Sequence, residues 1–247
     1  MKKIGVLLIC LNPPYWEYAK QLVESAKKFL LKDHEVEFLL WSDMPDTDYG
    51  CTLFPTESLE WPHPTLLRYH TFLQQEEKLK EFDYLFYVDI DMIFVDEVGD
   101  ELLGEGLTAI GHPMYWLREG LRFPLEPNPE SSAYIKVPYY YFCGGIQGGK
   151  SEDFIKAMWS MRRAIDADFT KNYIARWNDE SHWNRYLFDN PPSVILDPAY
   201  CYPDSIIKEY YEKVWGQSFK PRLITITKKN SLSKEGGEHL KQLIQTI

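Results

Sequence analysis

Residues 4–11 form an unbroken apolar run, which predicts a buried strand. Apolar positions then recur at helical spacing over residues 15–31 (Tyr15, Tyr18, Ala19, Leu22, Val23, Ala26, Phe29, Leu30), and residues 36–41 read as a second strand. Helical spacing returns over residues 65–82, behind Pro62 and Pro64, and a third strand over residues 84–88 runs into Asp89-Ile90-Asp91. Strand–helix–strand alternation of this kind predicts an α/β fold with right-handed crossovers and a mostly parallel central sheet. Ligands of such sheets bind beyond the carboxyl ends of the strands, where Asp89 and Asp91 fall. Past residue 100 the pattern loosens. Residues 123–129 read as loop, residues 151–166 as an amphipathic helix, and residues 181–188 as the start of another.

Composition narrows the function classes. The chain has 247 residues, 45% of them hydrophobic, and no linker-like stretch divides it, so one well-filled domain is expected. A net charge of -10 disfavours nucleic-acid partners and broad docking to anionic lipid. Lys2 and Lys3 before the first apolar run imitate a secretory signal. The run is short, however, and Asn12-Pro13-Pro14-Tyr15-Trp16 follows without a small-residue cleavage site. No segment is apolar for long enough to span a bilayer. The four cysteines (Cys10, Cys51, Cys143, Cys201) show no CxxC spacing, and reduced thiols in a cytoplasmic protein are the simplest expectation. Peripheral attachment at the inner membrane face is the further option for location.

Three Asp-x-Asp pairs occur: Asp46-Thr47-Asp48, Asp89-Ile90-Asp91 and Asp166-Ala167-Asp168. The first lies in a turn-like stretch after Asp43-Met44-Pro45. The third follows a helix, where side chains two apart do not share a face. Only the middle pair leaves a buried strand, whose period of two would point both carboxylates the same way, as Mn²⁺ or Mg²⁺ ligation wants. A pair of ordinary loop carboxylates is the alternative. In Trp177-Asn178-Asp179-Glu180-Ser181-His182, Asn178 or Asp179 can cap a helix, and the helix dipole would favour an ionised carboxylate in its first turn. Such a carboxylate suits glycosyl chemistry, but it also suits plain helix-end decoration. The four glycines of Cys143-Gly144-Gly145-Ile146-Gln147-Gly148-Gly149 predict close backbone approach, as a tight sheet corner or a sugar pocket.

Together the blocks Tyr87-Val88-Asp89-Ile90-Asp91-Met92, Ser132-Ala133-Tyr134-Ile135, residues 143–149 and residues 177–186 resemble glycosyltransferase family 6. That family includes the blood-group A and B transferases, α-1,3-galactosyltransferase and shorter bacterial relatives. The resemblance runs from Ile4 to about His239, and Trp61-Pro62-x-x-Thr65-Leu66-x-Arg68 looks closer to the bacterial members, which lack a membrane anchor and stem. It implies a GT-A fold: a single Rossmann-like domain, residues 1–247, with a nucleotide-binding half (1–100), an acceptor and catalytic half (101–218) and a basic tail (219–247) over the donor. It also implies retaining α-1,3 transfer of GalNAc or Gal, from UDP-GalNAc or UDP-Gal, to a glycan acceptor. That acceptor is expected to be a β-galactoside, with or without an α-1,2-fucose.

By the same resemblance Asp89 and Asp91 hold the Mn²⁺ (or Mg²⁺) that bridges the diphosphate. Glu180 is the catalytic carboxylate, acting as covalent nucleophile or as a face-shielding stabiliser of the sugar cation. Ile9, Leu11 and Tyr15 would hold the nucleoside, Ile90 would belong to the donor site, Arg68 would lie near the diphosphate, and Asp179 would contact the donor sugar. Lys228 and Lys234 belong to the closing tail. Cys143, Gly144 and Gly145 occupy positions that tune the donor sugar, and the bare Gly145 favours UDP-GalNAc. Acceptor contacts are expected from His112, Trp177, Asn178 and Asp204. The chain departs from the family's pattern at Asn178, where histidine is usual, and at Leu125-Glu126-Pro127-Asn128, where relatives carry Tyr-Glu-Arg-Arg. Two other classes compete. A phosphohydrolase using Asp89 would want Thr or Val at Ile93 and a later acidic pair in a Gly-Asp context, neither of which is evident. A non-catalytic UDP-sugar-binding protein is the other.

Overall fold

A computed structural model of the chain describes residues 1–116, 123–204, 208–216 and 218–226, apart from the side chains of Tyr211 and Val214. Lys228 and Lys234 lie outside the described residues. Strand β1 (Lys3–Cys10) is buried along nearly its whole length, because it is central and covered on both faces. It pairs in parallel with β2 (Glu35–Ser42) and β4 (Tyr84–Val88), and β2 pairs in parallel with β3 (Thr52–Pro55). Beyond β4, strand β7 (Phe142–Lys150) runs antiparallel to both β4 and β6 (Leu107–Gly111), and β8 (Val194–Leu196) closes the edge parallel to β6. Among the described residues the sheet therefore reads β3-β2-β1-β4-β7-β6-β8, a mixed α/β arrangement consistent with a GT-A-like fold.

Alternation along β1 sorts the core into two layers. Ile4, Val6 and Leu8 pack with Ala19, Leu22, Val23 and Ala26 of helix α1 (Trp16–Phe29). Leu7 and Ile9 pack on the other face with helix α5 (Ser151–Phe169) and helix α6 (Asn178–Asp189) through Phe154, Met158, Met161 and Trp183.

One expectation changes here. The helix predicted over residues 65–82 is broken into α2 (His63–Leu66), α3 (Arg68–Phe72), a 3₁₀ turn and α4 (Glu76–Leu79). Leu67 and Gln75 leave helical dihedrals, and the break at Leu67 accompanies an inward-turned Arg68 that is only 3% exposed. Residues 219–226, the first part of the expected basic tail, include a strand. Strand β10 (Leu223–Thr225) pairs with β5 (Met92–Phe94) and with β9 (Tyr202–Pro203), while Lys220 and Arg222 pair with Asp96. The next helix back, α7 (Lys208–Trp215), donates Trp215 Nε1 to the Pro113 carbonyl at 2.5 Å.

The glycine-rich segment is a strand rather than a sheet corner. A Cβ at Gly148 would meet the Leu85 carbonyl oxygen and lie 2.8 Å from Phe86 Cα. Gly148→Ala should therefore destabilise the fold by about 1–3 kcal/mol, because the obstructing atoms are backbone of a central strand. Urea unfolding reads this directly, and an unchanged midpoint would show that the β4–β7 pair can spread.

Candidate active site

The cavity at the carboxyl ends of β1 and β4 is built first by the loop after β1. Asn12 takes a positive φ of 79°, and its N–H is shared between the two oxygens of Asp43 at 3.0 and 2.9 Å. Asp43 also accepts Trp16 Nε1 at 3.0 Å, so one carboxylate holds both ends of the loop. Ile9 at the end of β1, with Leu11 and Tyr15 of the loop, lines a cavity of about 150 Å³ together with Arg68, Asp89, Ile90 and Asp91. Seven residues expected at the donor or metal thus line one cavity, which combines apolar and charged side chains.

The two aspartates reach it by a route that strand periodicity does not describe. Strand β4 ends at Val88, and Met92 N–H donates to the Asp89 carbonyl at 3.2 Å, so Asp89-Ile90-Asp91 is a turn. Both aspartates line the cavity, and Ile226 N–H ties the Asp91 carbonyl to the end of β10 at 2.9 Å. Asp89 Oδ1 accepts the Tyr87 hydroxyl and lies 3.6 Å from Arg68 Nη1. The Arg68 guanidinium sits 4.0 Å over the Tyr87 ring and 3.4 Å from Asp179 Oδ2, while its Nε donates to the Thr65 carbonyl at 3.0 Å. Such a cation between two carboxylates keeps its proton firmly. Asp179 itself is 2% exposed, and burial pushes its carboxyl up to about 6 despite Arg68. Gln147 Nε2 donates to it at 3.0 Å, and Tyr69 hydroxyl donates to Gln147 Oε1 at 2.7 Å. Asp179 therefore sits beneath Arg68 in a buried network rather than on the cavity wall.

Glu180 occupies the first turn of α6, where Ser181 Oγ, and neither Asn178 nor Asp179, receives the Trp177 N–H at 3.0 Å. Asn178 is the first helical residue and has a positive φ of 50°. The half-buried Glu180 has both oxygens occupied: Oε1 accepts the Tyr141 hydroxyl at 2.5 Å and Oε2 accepts Gly144 N–H at 2.7 Å. The helix dipole does not hold this group far down in pH. Burial pushes its carboxyl up to about 7, with Asp179 and Asp89 adding to the rise and the Tyr141 and Gly144 bonds opposing it. Next along β7, a Cβ on Gly145 would lie 3.0 Å from Met92 Cε and 3.2 Å from Asp89 Oδ2. Asp89 N–H also donates to the Gly145 carbonyl at 2.8 Å. Adjacent glycines thus contact the Glu180 side and the Asp89 side of one site.

Other expected residues scatter. Cys143 turns into the core beside the Cys201 thiol. His112 edges the Tyr141 and Tyr115 rings, and burial lowers its pKa to about 4. Its Nδ1 accepts Met114 N–H at 3.1 Å, which leaves a neutral imidazole with Nε2–H as donor. Trp177 is 46% exposed and anchored through Nε1 to the Pro124 carbonyl at 2.7 Å, whereas Asp204 is completely buried beside β9. Among the described residues no three His, Cys, Asp or Glu side chains form a metal cage. No described helix is long and apolar enough to cross a membrane. A larger cleft of about 490 Å³, lined by Lys2, Lys80 and Lys150, lies at the opposite ends of the strands, away from all these carboxylates. Sequence reasoning missed the tethers Asp43, Gln147, Tyr141 and Asn184; only Asn184, four residues after Glu180 on one helix face, had a local signal.

The chain is also similar to known proteins over most of its length. The chain is 30% identical to the human (Homo sapiens) globoside alpha-1,3-N-acetylgalactosaminyltransferase 1, over 81% of this chain and 61% of that protein. It is 27% identical to histo-blood group ABO system transferase 1 of Rattus norvegicus, over 83% and 62% respectively. It is 32% identical to the O-antigen biosynthesis glycosyltransferase WbnI of Escherichia coli, over 58% and 62%. The chain therefore spans about three fifths of the length of the curated relatives it matches. The family model described as glycosyltransferase family 6 matches residues 2–214, and the chain belongs to that family.

Proposed function

We propose that this chain is a retaining glycosyltransferase that moves GalNAc or Gal from a UDP-sugar onto a β-galactoside glycan. The observation that carries the reading is the placement of Glu180, held at both oxygens by Tyr141 and Gly144 one residue from the glycine that abuts Asp89. Ile9, Leu11 and Tyr15 give the cavity apolar surface that suits a nucleoside, and Arg68, Asp89 and Asp91 give it the charges that suit a diphosphate with its cation. Two carboxylates supply hard oxygen ligands for Mn²⁺ or Mg²⁺, and phosphate oxygens and water are the natural remaining ligands. Bound there, the ion would neutralise charge on the leaving diphosphate. Arg68 supplies a second, permanent positive charge beside the same aspartate.

During transfer the bond from the anomeric carbon to the UDP oxygen breaks, a bond to the acceptor hydroxyl oxygen forms, and the hydroxyl proton passes to the departing phosphate oxygen or to water. The positive charge growing on the sugar ring meets the Glu180 carboxylate. His112, neutral and offering Nε2–H, with the exposed Trp177 face, supports an acceptor sugar beside Tyr141. The absent side chain at Gly145 favours UDP-GalNAc. Gly145→Val should cut kcat/KM for UDP-GalNAc at least about tenfold more than for UDP-Gal, since Met92 and Asp89 leave the new side chain little room to retreat. Equal losses for the two donors would put the N-acetyl pocket elsewhere.

The assay for the whole reading is a mass-shift screen of β-galactosides with each UDP-sugar and Mn²⁺. A gain of one HexNAc or hexose is expected. UDP binding without any product would identify a non-catalytic binder, and phosphate release from simple esters would identify a hydrolase.

A further inference from the structure

Asn184 lies outside the cavity, yet its carboxamide is buried between the two segments that hold Glu180. Its Oδ1 accepts Phe142 N–H at 2.8 Å, and its Nδ2 donates to the Phe142 carbonyl at 2.8 Å and to the Glu180 carbonyl at 2.9 Å. Both amide hydrogens and one oxygen lone pair are therefore used. The pair of bonds to Phe142 reproduces what a neighbouring strand would provide.

Phe142 has β6 on one edge, but on the other edge β4 pairs with β7 only as far as Val88 and Ile146, so no strand meets Phe142 there. Ala109 of β6 pairs with Gln147 and Gly111 pairs with Phe142, so two steps along β6 match five along β7. Residues 143–146 bulge out of the β6–β7 ladder, which leaves Gly144 N–H to aim at Glu180 instead of at β6. Phe142 sits between Tyr141 and the bulge, and those two supply the donors to the carboxylate.

We propose that Asn184 is a positioning residue that locks the register between α6 and β7, and so sets Glu180 against Tyr141 and Gly144. The amide is the group that fits. An aspartate would turn a carboxylate oxygen towards two carbonyls, and an alanine would strand the buried N–H and carbonyl of Phe142. This rests on Glu180 being the carboxylate that meets the donor sugar.

The test compares Asn184→Ala, Asn184→Asp and Glu180→Gln, using the acceptor and donor found in the screen. It measures kcat, KM, UDP affinity by calorimetry and the melting transition. Both Asn184 variants should lose about 30-fold or more in kcat, because a shift near 1 Å of a reacting group costs on the order of 10²-fold. UDP affinity should stay within about twofold, since no atom of Asn184 borders the nucleotide cavity. Turnover of Asn184→Ala within about threefold of the parent overturns the proposal. So does parallel loss of turnover, UDP binding and the melting transition, which would make Asn184 a packing residue. If Glu180→Gln turns over normally, the reading of Glu180 itself fails, a result distinguishable from either outcome at Asn184.

Discussion

Glu180→Gln should lower kcat by about 10³-fold or more and leave UDP affinity within about twofold. The substitution keeps shape and tethers: Gly144 N–H still has a carbonyl oxygen to donate to, and the new amide can donate to the Tyr141 oxygen. Only the negative charge is lost, and Glu180 does not border the cavity assigned to the nucleotide. Single-turnover kinetics with UDP calorimetry separate the two quantities, and near-normal turnover would remove Glu180 from the chemistry. The same residue predicts a pH profile. Its carboxyl is neutral below about 7 and ionised above, so kcat/KM should rise with pH through that region along a one-proton limb. In Tyr141→Phe that limb should move to higher pH, because a hydrogen bond favouring the anion is gone.

Asp91→Asn should cost about 10²-fold or more in kcat/KM, and a chelator should abolish transfer until Mn²⁺ is returned. Asp89 Oδ1 is already engaged by Tyr87 and faces Arg68, so Asp91 is the second half of any two-carboxylate site on this rim. Removing its charge leaves the amide oxygen, a weaker ligand for a hard cation that keeps the same shape. Metal titration of the parent and of Asp91→Asn, followed by Mn²⁺ electron paramagnetic resonance, checks this without turnover. Full activity in excess chelator would show that Arg68 and the cavity suffice without a cation.

Several parts of the site could be read before any tertiary structure. The run in β1, the strand Tyr84–Val88 and the α1 pattern each carry their own period, so three central elements appear within a residue or two of their observed limits. Their order put Asp89 and Asp91 at the carboxyl end of the sheet, where the cavity is. The first rival Asp pair is exposed, as its turn composition implies, with Asp46 accepting from Thr47 N–H at 2.7 Å. In the third, Asp166 is exposed and Asp168 is buried, on opposite sides of α5, as spacing by two on a helix requires. What spacing could not show is that Asp168 is a loop anchor, accepting Ser131 Oγ at 2.6 Å and Ser132 N–H at 2.7 Å.

The sequence alone determined which strands are buried and which carboxylates end up at their carboxyl edge, because burial along one segment is written in that segment's own periodicity. Tertiary structure decided the rest. That Asp89-Ile90-Asp91 is a turn, that Arg68 is drawn inwards between two aspartates, and that Asp179 lies under it depends on partners from separate elements. The state of Glu180 is the clearest case. Its place in a first helical turn argues for easy ionisation, while burial and two nearby carboxylates raise its pKa to about 7. Its tethers come from 39 and 36 residues away, and the bulge and the Asn184 amide set their aim. Desolvation and cross-element hydrogen bonding are properties of the assembled packing, and no local pattern encodes them.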